Sequence, residues 1–460
     1  MSMLKLLFVL PNRNNQKVLA KQVGNEFRLP AYDELVGENV GFDEPQTHND
    51  FFRERTGIPV FRRYSFNTQS YAVFIMEQTS ADALPANEYD WTAFDEYISS
   101  QESGELRDIA RSVSLYYNTS ANMPWVNASG FSAYLAWLYR VCEEKGIQII
   151  DEITQVKNAY VSTVFCVPTD AGNLYMKIPG KVFITELPFT RELKKMEMAN
   201  LPVWVAHDCG MNVILMEDMG GCNLPSQSSI EVFTDVLLAL SEVQMASTKH
   251  LPLQCSYNHS LDAILENLSA FSQKAFEILQ GTQHEITQSD LTKLARNIAS
   301  ATAMLKPIMN LPIPDTIQHG DVRPGNIRVV DGNYMFYDWA WGAVSHPFIE
   351  ASQFLNIIKK NLPSGIPAQE ILLDAYLREW LAYGSYEELK SAFAVLDDLK
   401  ELFMAYVDCL WLETIVSMCG EGIEAMSADG WLLERRMYYF AKVLHIFLEK
   451  EIPARKEIRS

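Results

Sequence analysis

The sequence is short of positive charge and contains no long apolar run. It has 38 lysines and arginines against 58 aspartates and glutamates, a formal net charge of −20 at pH 7. A chain with this much negative charge repels nucleic acid and anionic membrane surfaces, and we therefore expect neither as a partner. A cationic small molecule, in contrast, would be tolerated or attracted. The apolar run from Leu4 to Pro11 is too short for a membrane or secretory segment and predicts a first β-strand.

The sequence also lacks paired cysteines and a Walker A motif. Its seven cysteines are scattered, odd in number and never in a CxxC pair. This argues against a disulfide framework or a zinc site and predicts reduced thiols in the cytosol. Without a Walker A motif, a P-loop is excluded as the means of binding a nucleotide.

The chain of 460 residues is too long for one compact core, so two or three domains are expected. Residues 1–120 contain strand-like runs separated by turn signals, which predict a small α+β domain. Residues 121–217 begin with a helical stretch that ends at Gly146 and continue with strand-like segments. Residues 218–460 have helical periodicity, interrupted by a short β-like island at 317–338. The predicted order is a front domain, a β-rich lobe and a helical lobe.

One group of polar residues in the helical lobe has a spacing that indicates a catalytic function. In QHGDVRPGN (318–326), Asp321 and Asn326 lie five positions apart. The following segment predicts two short strands joined at Asp-Gly-Asn, a strong hairpin signal that returns Asp338 to the same edge of the lobe. Phosphoryl transfer needs a base to orient the attacking hydroxyl, metal ligands on the polyphosphate and a cation on the phosphates. Asn326 and Asp338 supply hard oxygen ligands that suit Mg²⁺.

HGDVRPGN followed by YDW and SHPF resembles the aminoglycoside phosphotransferase and choline kinase-like family of small-molecule kinases. The resemblance implies a bilobal protein kinase-like fold with a β-rich N-lobe and a helical C-lobe. It also implies that Asp321 is the catalytic base, that Asn326 and Asp338 bind Mg²⁺, and that His319 braces the loop. The implied reaction transfers the γ-phosphoryl group of ATP or GTP to a hydroxyl of a small acceptor, such as an antibiotic or a cationic amino sugar. A nucleotide-binding pseudokinase that acts as a scaffold or sensor is the alternative.

The β-rich lobe supplies the cation in this interpretation. Lys177 in NLYMKIP resembles the lysine that pairs with the nucleotide α- and β-phosphates. TRELKKMEMAN offers Glu192 as its acidic partner, with Glu197 and Glu186 as rivals.

Two further segments are expected to contact the nucleotide. VILMEDMGG (213–221) resembles the family's hinge, where backbone groups of Glu217 and Met219 pair with an adenine edge. The expected phosphate cover, QVKNAYVSTVF (155–165), contains no glycine. Backbone amides and the hydroxyls of Ser162 and Thr163 are the groups left to cap the phosphates.

Other polar and aromatic residues near the motif keep open roles. Arg323 either touches phosphate or pairs with a surface acid, and Trp339 and Trp341 are expected to pack. His346 follows Asp338 too closely for a protein-kinase activation loop, so a small-molecule acceptor is preferred. Acids in the helices after residue 348 either bind a cationic substrate or form a solvated face: Glu350, Asp397, Asp398, Glu401 and Asp408.

The front domain carries a second, weaker resemblance. HNDFFRERTGIPV (48–60) resembles a degenerate Nudix helix, in which Glu54 and Arg55 occupy the positions of the paired metal-binding glutamates. Arg55 would repel a cation, so Nudix hydrolysis is expected to be lost. Packing on the small lobe, formation of a homodimer and ligand sensing are the roles left open for this domain.

Overall fold

The computed structural model describes residues 3–11, 16–37, 45–68, 70–80, 83–116, 123–126, 130–159, 161–196, 200–251, 253, 257–281, 285–362, 367–419, 438 and 440–443. Three units follow one another along the chain. They are a front unit (3–116), a small lobe (123–217) and a large lobe (218–443).

The front unit is built on a mixed sheet with the strand order β4-β1-β6-β5, in which β1 and β6 are parallel. A second, three-stranded sheet has the order β3-β2-β7. The elements are β1 (Met3–Val9), β2 (Lys17–Val23), β3 (Glu26–Arg28), β4 (Ala31–Gly37), α1 (Pro45–Thr56), β5 (Val60–Asn67), β6 (Tyr71–Gln78), β7 (Asp90–Ala93), α2 (Phe94–Ser100) and α3 (Gly104–Tyr116). The strand-like runs of the sequence, LKLLFVLP, KVLAKQV, FRRYSF and YAVFIMEQ, therefore form β1, β2, β5 and β6.

The small lobe is a helix packed on a five-stranded antiparallel sheet of order β11-β12-β10-β9-β8. Apolar residues of the helix and of the inner strand faces share one buried cluster, as the alternating pattern of these strands requires. The elements are α4 (Gly130–Lys145), β8 (Thr154–Ala159), β9 (Ser162–Thr169), β10 (Gly172–Pro179), α5 (Glu186–Lys194), β11 (Trp204–Asp208) and β12 (Val213–Glu217).

The described part of the large lobe is helical apart from two three-stranded sheets. Three helices begin with hydroxyl caps: Ser229 accepts from the Val232 amide, Ser260 from the Ala263 amide, and Thr287 forms a capping box with Asp290. The elements are β13 (Cys222–Asn223), α6 (Ile230–Ser247), β14 (Tyr257–His259), α7 (Leu261–Leu279), α8 (Gln288–Met309), β15 (Thr316–Gln318), β16 (Ile327–Val330), β17 (Asn333–Phe336), β18 (Ala343–Ser345), α9 (Pro347–Ile358), α10 (Ala368–Glu379) and α11 (Tyr386–Cys419).

The front unit and the small lobe share buried contacts. Phe61 of β5 belongs to the same apolar cluster as the α4 and β9 side chains. A cavity of about 220 Å³ lies at this junction, lined by residues of α1, β5 and α4, and the residues of the HGD motif do not line it. The front unit is therefore packed against the small lobe, one of the roles left open for it.

The predicted fold class, a β-rich lobe followed by a helical lobe and preceded by an α+β unit, is confirmed. The phrase that resembles a Nudix helix forms α1, and the Nudix assignment itself stays a prediction. Cys142, Cys166, Cys209 and Cys222 form no disulfide. Within the described ranges, every helix is too short or too polar to cross a membrane.

Candidate active site

The loop between β15 and β16 positions Asp321 and Asn326 against each other. The side-chain nitrogen of Asn326 (Nδ2) donates to Asp321 Oδ2 at 2.8 Å and to the backbone carbonyl of Asp321 at 2.9 Å. The short 3-10 turn Pro324–Asn326 makes this approach possible over five residues. The Asp321 side chain remains about one-third exposed (35%), whereas Asn326 is buried. Asp321 thus has a fixed carboxylate that an acceptor hydroxyl can reach.

A tight hairpin returns the chain to this loop. Asp331 and Gly332 have φ of 48° and 80° between paired β16 and β17, the two positive values that a two-residue type I′ turn requires. The Tyr337 amide donates to the Asn326 carbonyl at 3.1 Å, which places the next residue, Asp338, beside Asn326. Asp338 itself adopts a left-handed conformation, with φ 66°. A left-handed aspartate stores backbone strain, and such strain is concentrated at functional sites.

Lys177 of β10 joins Asp338 to the small lobe. Its ammonium donates to Asp338 Oδ1 and to Glu186 Oε1, both at 2.5 Å. The predicted partner, Glu192, is wrong: its carboxylate pairs with Lys195 at 2.7 Å, one turn along α5. Glu186 is a rival named from the sequence, and it begins α5, which directs it toward β10. Glu197, the other rival, lies outside the described residues.

Lys177 and its two carboxylate partners shift one another's pKa values through their opposite charges. Burial lowers the pKa of Lys177, but Asp338 and Glu186 reverse this, so the pKa lies above its ordinary value. Burial raises the pKa of Asp338, but the charges of Lys177 and Lys157 reverse this and hold it well below its usual range. Burial raises the pKa of Glu186, with Lys177 opposing. Its Oε2 is buried and has no hydrogen-bond partner among the described residues.

His319 and Glu350 brace the catalytic loop from within. His319 is buried, its Nε2 donates to the Tyr337 carbonyl at 2.8 Å, and its Nδ1 accepts from the Asp321 amide at 3.3 Å. Burial lowers the pKa of His319, so a neutral ring fits both contacts. The Gly320 amide donates to Glu350 Oε1 at 2.8 Å. These contacts explain the structural role predicted for His319 and reveal one for Glu350 that the sequence did not show.

Glycine is required inside this loop. Gly320 has φ 80°, and a Cβ there would lie 2.5 Å from the Trp341 carbonyl oxygen. Trp339 is buried and its indole donates to the Phe336 carbonyl at 2.9 Å, in agreement with packing. Arg323 is exposed and pairs with Asp321 Oδ2 at 3.1 Å, so in this state its partner is the candidate base.

Backbone hydrogen bonds and two glycines shape the segment between the lobes, which was predicted to be the hinge. The Glu217 amide donates to the Val203 carbonyl at 3.0 Å, so this amide is not available to a ligand. Gly220 and Gly221 follow with positive φ, and a Cβ on Gly221 would clash with the Val329 carbonyl. The Arg328 guanidinium donates to both glycine carbonyls, at 2.8 and 3.0 Å, a contact that was not expected from the sequence.

Met219 lies between the strand end and these glycines. Within the described part of the chain, no hydrogen bond involves its backbone. The adenine-edge role of Glu217 and Met219 stays a prediction.

Thr163 belongs to the segment expected to cover the phosphates (155–165), but its hydroxyl is directed into the protein interior. The Thr163 hydroxyl is buried, donates to the Lys157 carbonyl at 3.0 Å and accepts from Gln155 Nε2 at 3.1 Å. The predicted phosphate contact of Thr163 is therefore wrong. Ser162 is also buried, and its role stays a prediction. Lys157, whose Nζ lies 3.9 Å from Asp338 Oδ2, was missed by the sequence interpretation.

Asn326 and Asp338 fit a magnesium ion. Two ammonium groups now contact the Asp338 carboxylate, so its oxygens already lie in a setting that holds positive charge. The Asn326 nitrogen is engaged with Asp321, which leaves the amide oxygen as its metal donor. Over the described ranges, no group of three or more His, Cys, Asp or Glu side chains could hold a metal. An ion here would take its other ligands from phosphate and water, as Mg²⁺ does.

Three of the five acids proposed for a cationic acceptor already have protein partners. Glu350 is buried against the catalytic loop, Asp397 pairs with Lys400 at 2.9 Å, and Glu401 pairs with Lys442 at 2.6 Å. Asp397 also accepts from the Ser352 hydroxyl at 2.5 Å. These three acids hold helices together and do not form a free anionic surface.

Comparison with known proteins adds a family match. The family model described as "APH: Phosphotransferase enzyme family" matches residues 152–391. No curated protein matches the chain. The matched region begins just before β8 and ends within α11, so it covers most of both lobes but leaves out α4, most of α11 and the front unit.

Solved structures with similar folds include two choline kinases and a macrolide kinase. A choline kinase from Cryptosporidium parvum Iowa II has 11% identity and a TM-score of 0.46, covering 68% of this chain and 96% of that chain. A choline kinase from Streptococcus pneumoniae has 12% identity and a TM-score of 0.44, covering 68% and 99%. A macrolide 2′-phosphotransferase type I has 12% identity and a TM-score of 0.42, covering 66% and 96%. Likeness at this level does not identify a substrate.

Proposed function

Because the chain belongs to the phosphotransferase enzyme family, we propose that it is a small-molecule kinase. It transfers the γ-phosphoryl group of ATP or GTP to a hydroxyl of a small acceptor, with Mg²⁺ on the nucleotide. The observation that carries this proposal is the Lys177–Asp338 contact, which joins the small lobe to a loop that also holds Asp321 and Asn326.

Each residue has a role that follows from its position. Asp321 orients the acceptor hydroxyl and takes its proton, since its carboxylate is fixed by Asn326 and remains partly exposed. Asn326 and Asp338 hold the ion that neutralises charge on the transferred group. Lys177 steadies the phosphates, and Glu186 holds Lys177 in place.

The acceptor class is proposed to be amine-bearing, as in an amino sugar or an antibiotic, with drug inactivation as one consequence. The net charge of −20 supports this because it attracts cations to the protein. The scattered cysteines support a cytosolic location.

The alternative, a nucleotide-binding pseudokinase, has no specific support. A pseudokinase interpretation requires the loss of a group that transfer needs. Asp321, Asn326, Asp338 and Lys177 are all present, and each contacts another member of the set.

A paired acceptor screen tests the proposal. Purified protein, Mg²⁺ and either ATP or GTP would be incubated with amino sugars, amino alcohols and antibiotics, each beside an analogue without its amine. Mass spectrometry should find a product heavier by one phosphoryl group with an amine-bearing compound. Phosphorylation of the uncharged analogues alone would contradict the acceptor class. Bound nucleotide without any product or nucleotide turnover would favour the sensor.

A further inference from the structure

A second ammonium group reaches the metal-binding carboxylate from the phosphate cover. Lys157 is the fourth of the six residues of β8, with its side chain 39% exposed and its Nζ 3.9 Å from Asp338 Oδ2. Lys177 contacts the other oxygen of the same carboxylate. Lys177 is buried and held by two carboxylates, whereas Lys157 is at the surface and has room to follow a ligand.

A β-bulge directs Lys157 toward this site. The register between β8 and β9 shifts between Gln155 and Lys157. In a regular strand these two side chains would lie on the same face of the sheet. The bulge breaks that alternation, so that Gln155 is buried against the front unit while Lys157 reaches Asp338.

The front unit holds the strand on both sides of Lys157. The fully buried Gln155 side chain accepts from the Arg62 amide at 2.9 Å and donates to the Arg62 carbonyl at 2.8 Å. The Gln155 amide donates to Gln46 Oε1 at 2.9 Å. On the other side, the Arg62 guanidinium donates to the Asn158 carbonyl at 3.2 Å. Residues of α1 and β5 thus fix a hairpin that has no glycine in its turn.

We infer that Lys157 is a second phosphate-binding cation of the nucleotide site, and that the front unit positions it through Gln155 and Arg62. This inference rests on the proposed kinase function. A glycine-rich cover binds phosphates through backbone amides that approach closely. In this protein a lysine on a rigid hairpin takes that part. A Mg²⁺ ion held by Asp338 would repel the Lys157 ammonium, which would then be free to bind phosphate oxygens of the nucleotide.

A comparison of the affinities for nucleoside triphosphates with those for nucleosides, which lack the phosphates, tests the inference. The dissociation constants of ATP, GTP, adenosine and guanosine would be measured by calorimetry in the presence of MgCl₂. Lys157→Met should weaken binding of the preferred triphosphate roughly tenfold, as expected for loss of one charge-assisted contact, and leave its nucleoside within about twofold. Lys157→Arg should restore most of the loss. Lys145→Met, an exposed lysine at the end of α4, serves as the control.

The outcomes separate this inference from the proposed function. If the wild-type protein binds and transfers phosphate but Lys157→Met binds the triphosphate as tightly, the inference alone is overturned. Equal weakening of nucleoside and triphosphate would also overturn it, because that result indicates a structural defect. Failure of the wild-type protein to bind any nucleotide would overturn both proposals.

A double-mutant cycle tests whether the front unit positions Lys157. Arg62→Met should weaken triphosphate binding, and Lys157→Met should then have a smaller effect than in the wild-type background. If Arg62→Met does not fold, Gln46→Ala removes the acceptor of the Gln155 amide and takes its place in the cycle. Independent, additive losses would show that the front unit does not position Lys157.

Discussion

The Lys177 ammonium lies 2.5 Å from Oδ1 of Asp338, a residue 161 positions later in the chain. One residue belongs to a strand of the small lobe, and the other follows the hairpin of the large lobe. The contact therefore sets the spacing between the lobes where a nucleotide's phosphates would lie. Asp338 reaches it from a left-handed backbone conformation, which only the surrounding hairpin makes tolerable.

Glu186, rather than Glu192, is the partner that Lys177 needs. Glu186→Gln removes a buried anion from Lys177 and should lower phosphoryl transfer roughly 10- to 100-fold, the range for one hydrogen bond to a charged group. Glu192→Gln, on the same helix, should leave the rate unchanged, since its carboxylate pairs with an exposed lysine. Initial rates of both variants at saturating acceptor provide the measurement. Equal losses in the two variants would argue against the assignment.

Asp338 is predicted to make nucleotide binding dependent on magnesium. Asp338→Asn keeps a residue type that tolerates positive φ but removes the anion that would hold the ion. The Mg²⁺-dependent gain in nucleotide affinity should fall by roughly tenfold or more, as for loss of a charged contact. Asp331→Asn is a matched control, because it has φ 48° and lies at the tip of the same hairpin. Nucleotide titrations with and without Mg²⁺ measure this gain. An unchanged gain in nucleotide affinity in Asp338→Asn would contradict the metal-binding role of Asp338.

Glu350 should make stability depend on pH. Burial raises its pKa from an ordinary 4.5 to about 7, against the opposing hydrogen bonds from the catalytic loop. Because the folded-state pKa is the higher one, the stabilisation is fully present below pH 4.5 and is lost as pH rises through about 7. Glu350→Gln keeps an acceptor for the Gly320 amide and removes the titration.

The free energy of unfolding of the wild-type protein should therefore fall relative to Glu350→Gln between about pH 5 and pH 8, by at most about 3 kcal/mol. Denaturant unfolding of both proteins across this range measures the difference. Parallel pH curves would show that Glu350 does not titrate in the folded protein.

The sequence predicted the motif-bearing hairpin well because its signals are local. Asp331 and Gly332 are residues that a two-residue turn requires, and the five-residue offset of Asp321 and Asn326 closes within one loop. The fold class followed from the order of strand and helix periodicities. Such features depend on neighbouring residues, so one sequence is enough to recognise them.

What the sequence did not show depends on distant contacts. Which glutamate reaches Lys177 depends on where α5 begins, and Glu186 lies less than two turns before Glu192. Thr163 was assigned to phosphate because it supplies a hydroxyl in a cover without glycine, yet this hydroxyl is used by the buried Gln155 network at the front unit. Lys157 reaches Asp338 only because a bulge shifts the strand by one residue. These errors arose because the direction in which a side chain points depends on register, and a one-residue shift of a strand reverses that direction.

Transfer of a labelled phosphoryl group tests the central claim most directly. ATP or GTP with an ¹⁸O-labelled γ-phosphate would be incubated with Mg²⁺, the acceptor panel and either wild-type protein or Asp321→Asn. The wild-type protein should move the labelled group to an acceptor. Asp321→Asn should be slower by roughly 10²- to 10⁴-fold, the contribution of a positioned base, with nearly unchanged nucleotide affinity. Equal labelling of the acceptor by Asp321→Asn would contradict the role of Asp321 as base, and no labelled acceptor with the wild-type protein would contradict the kinase assignment.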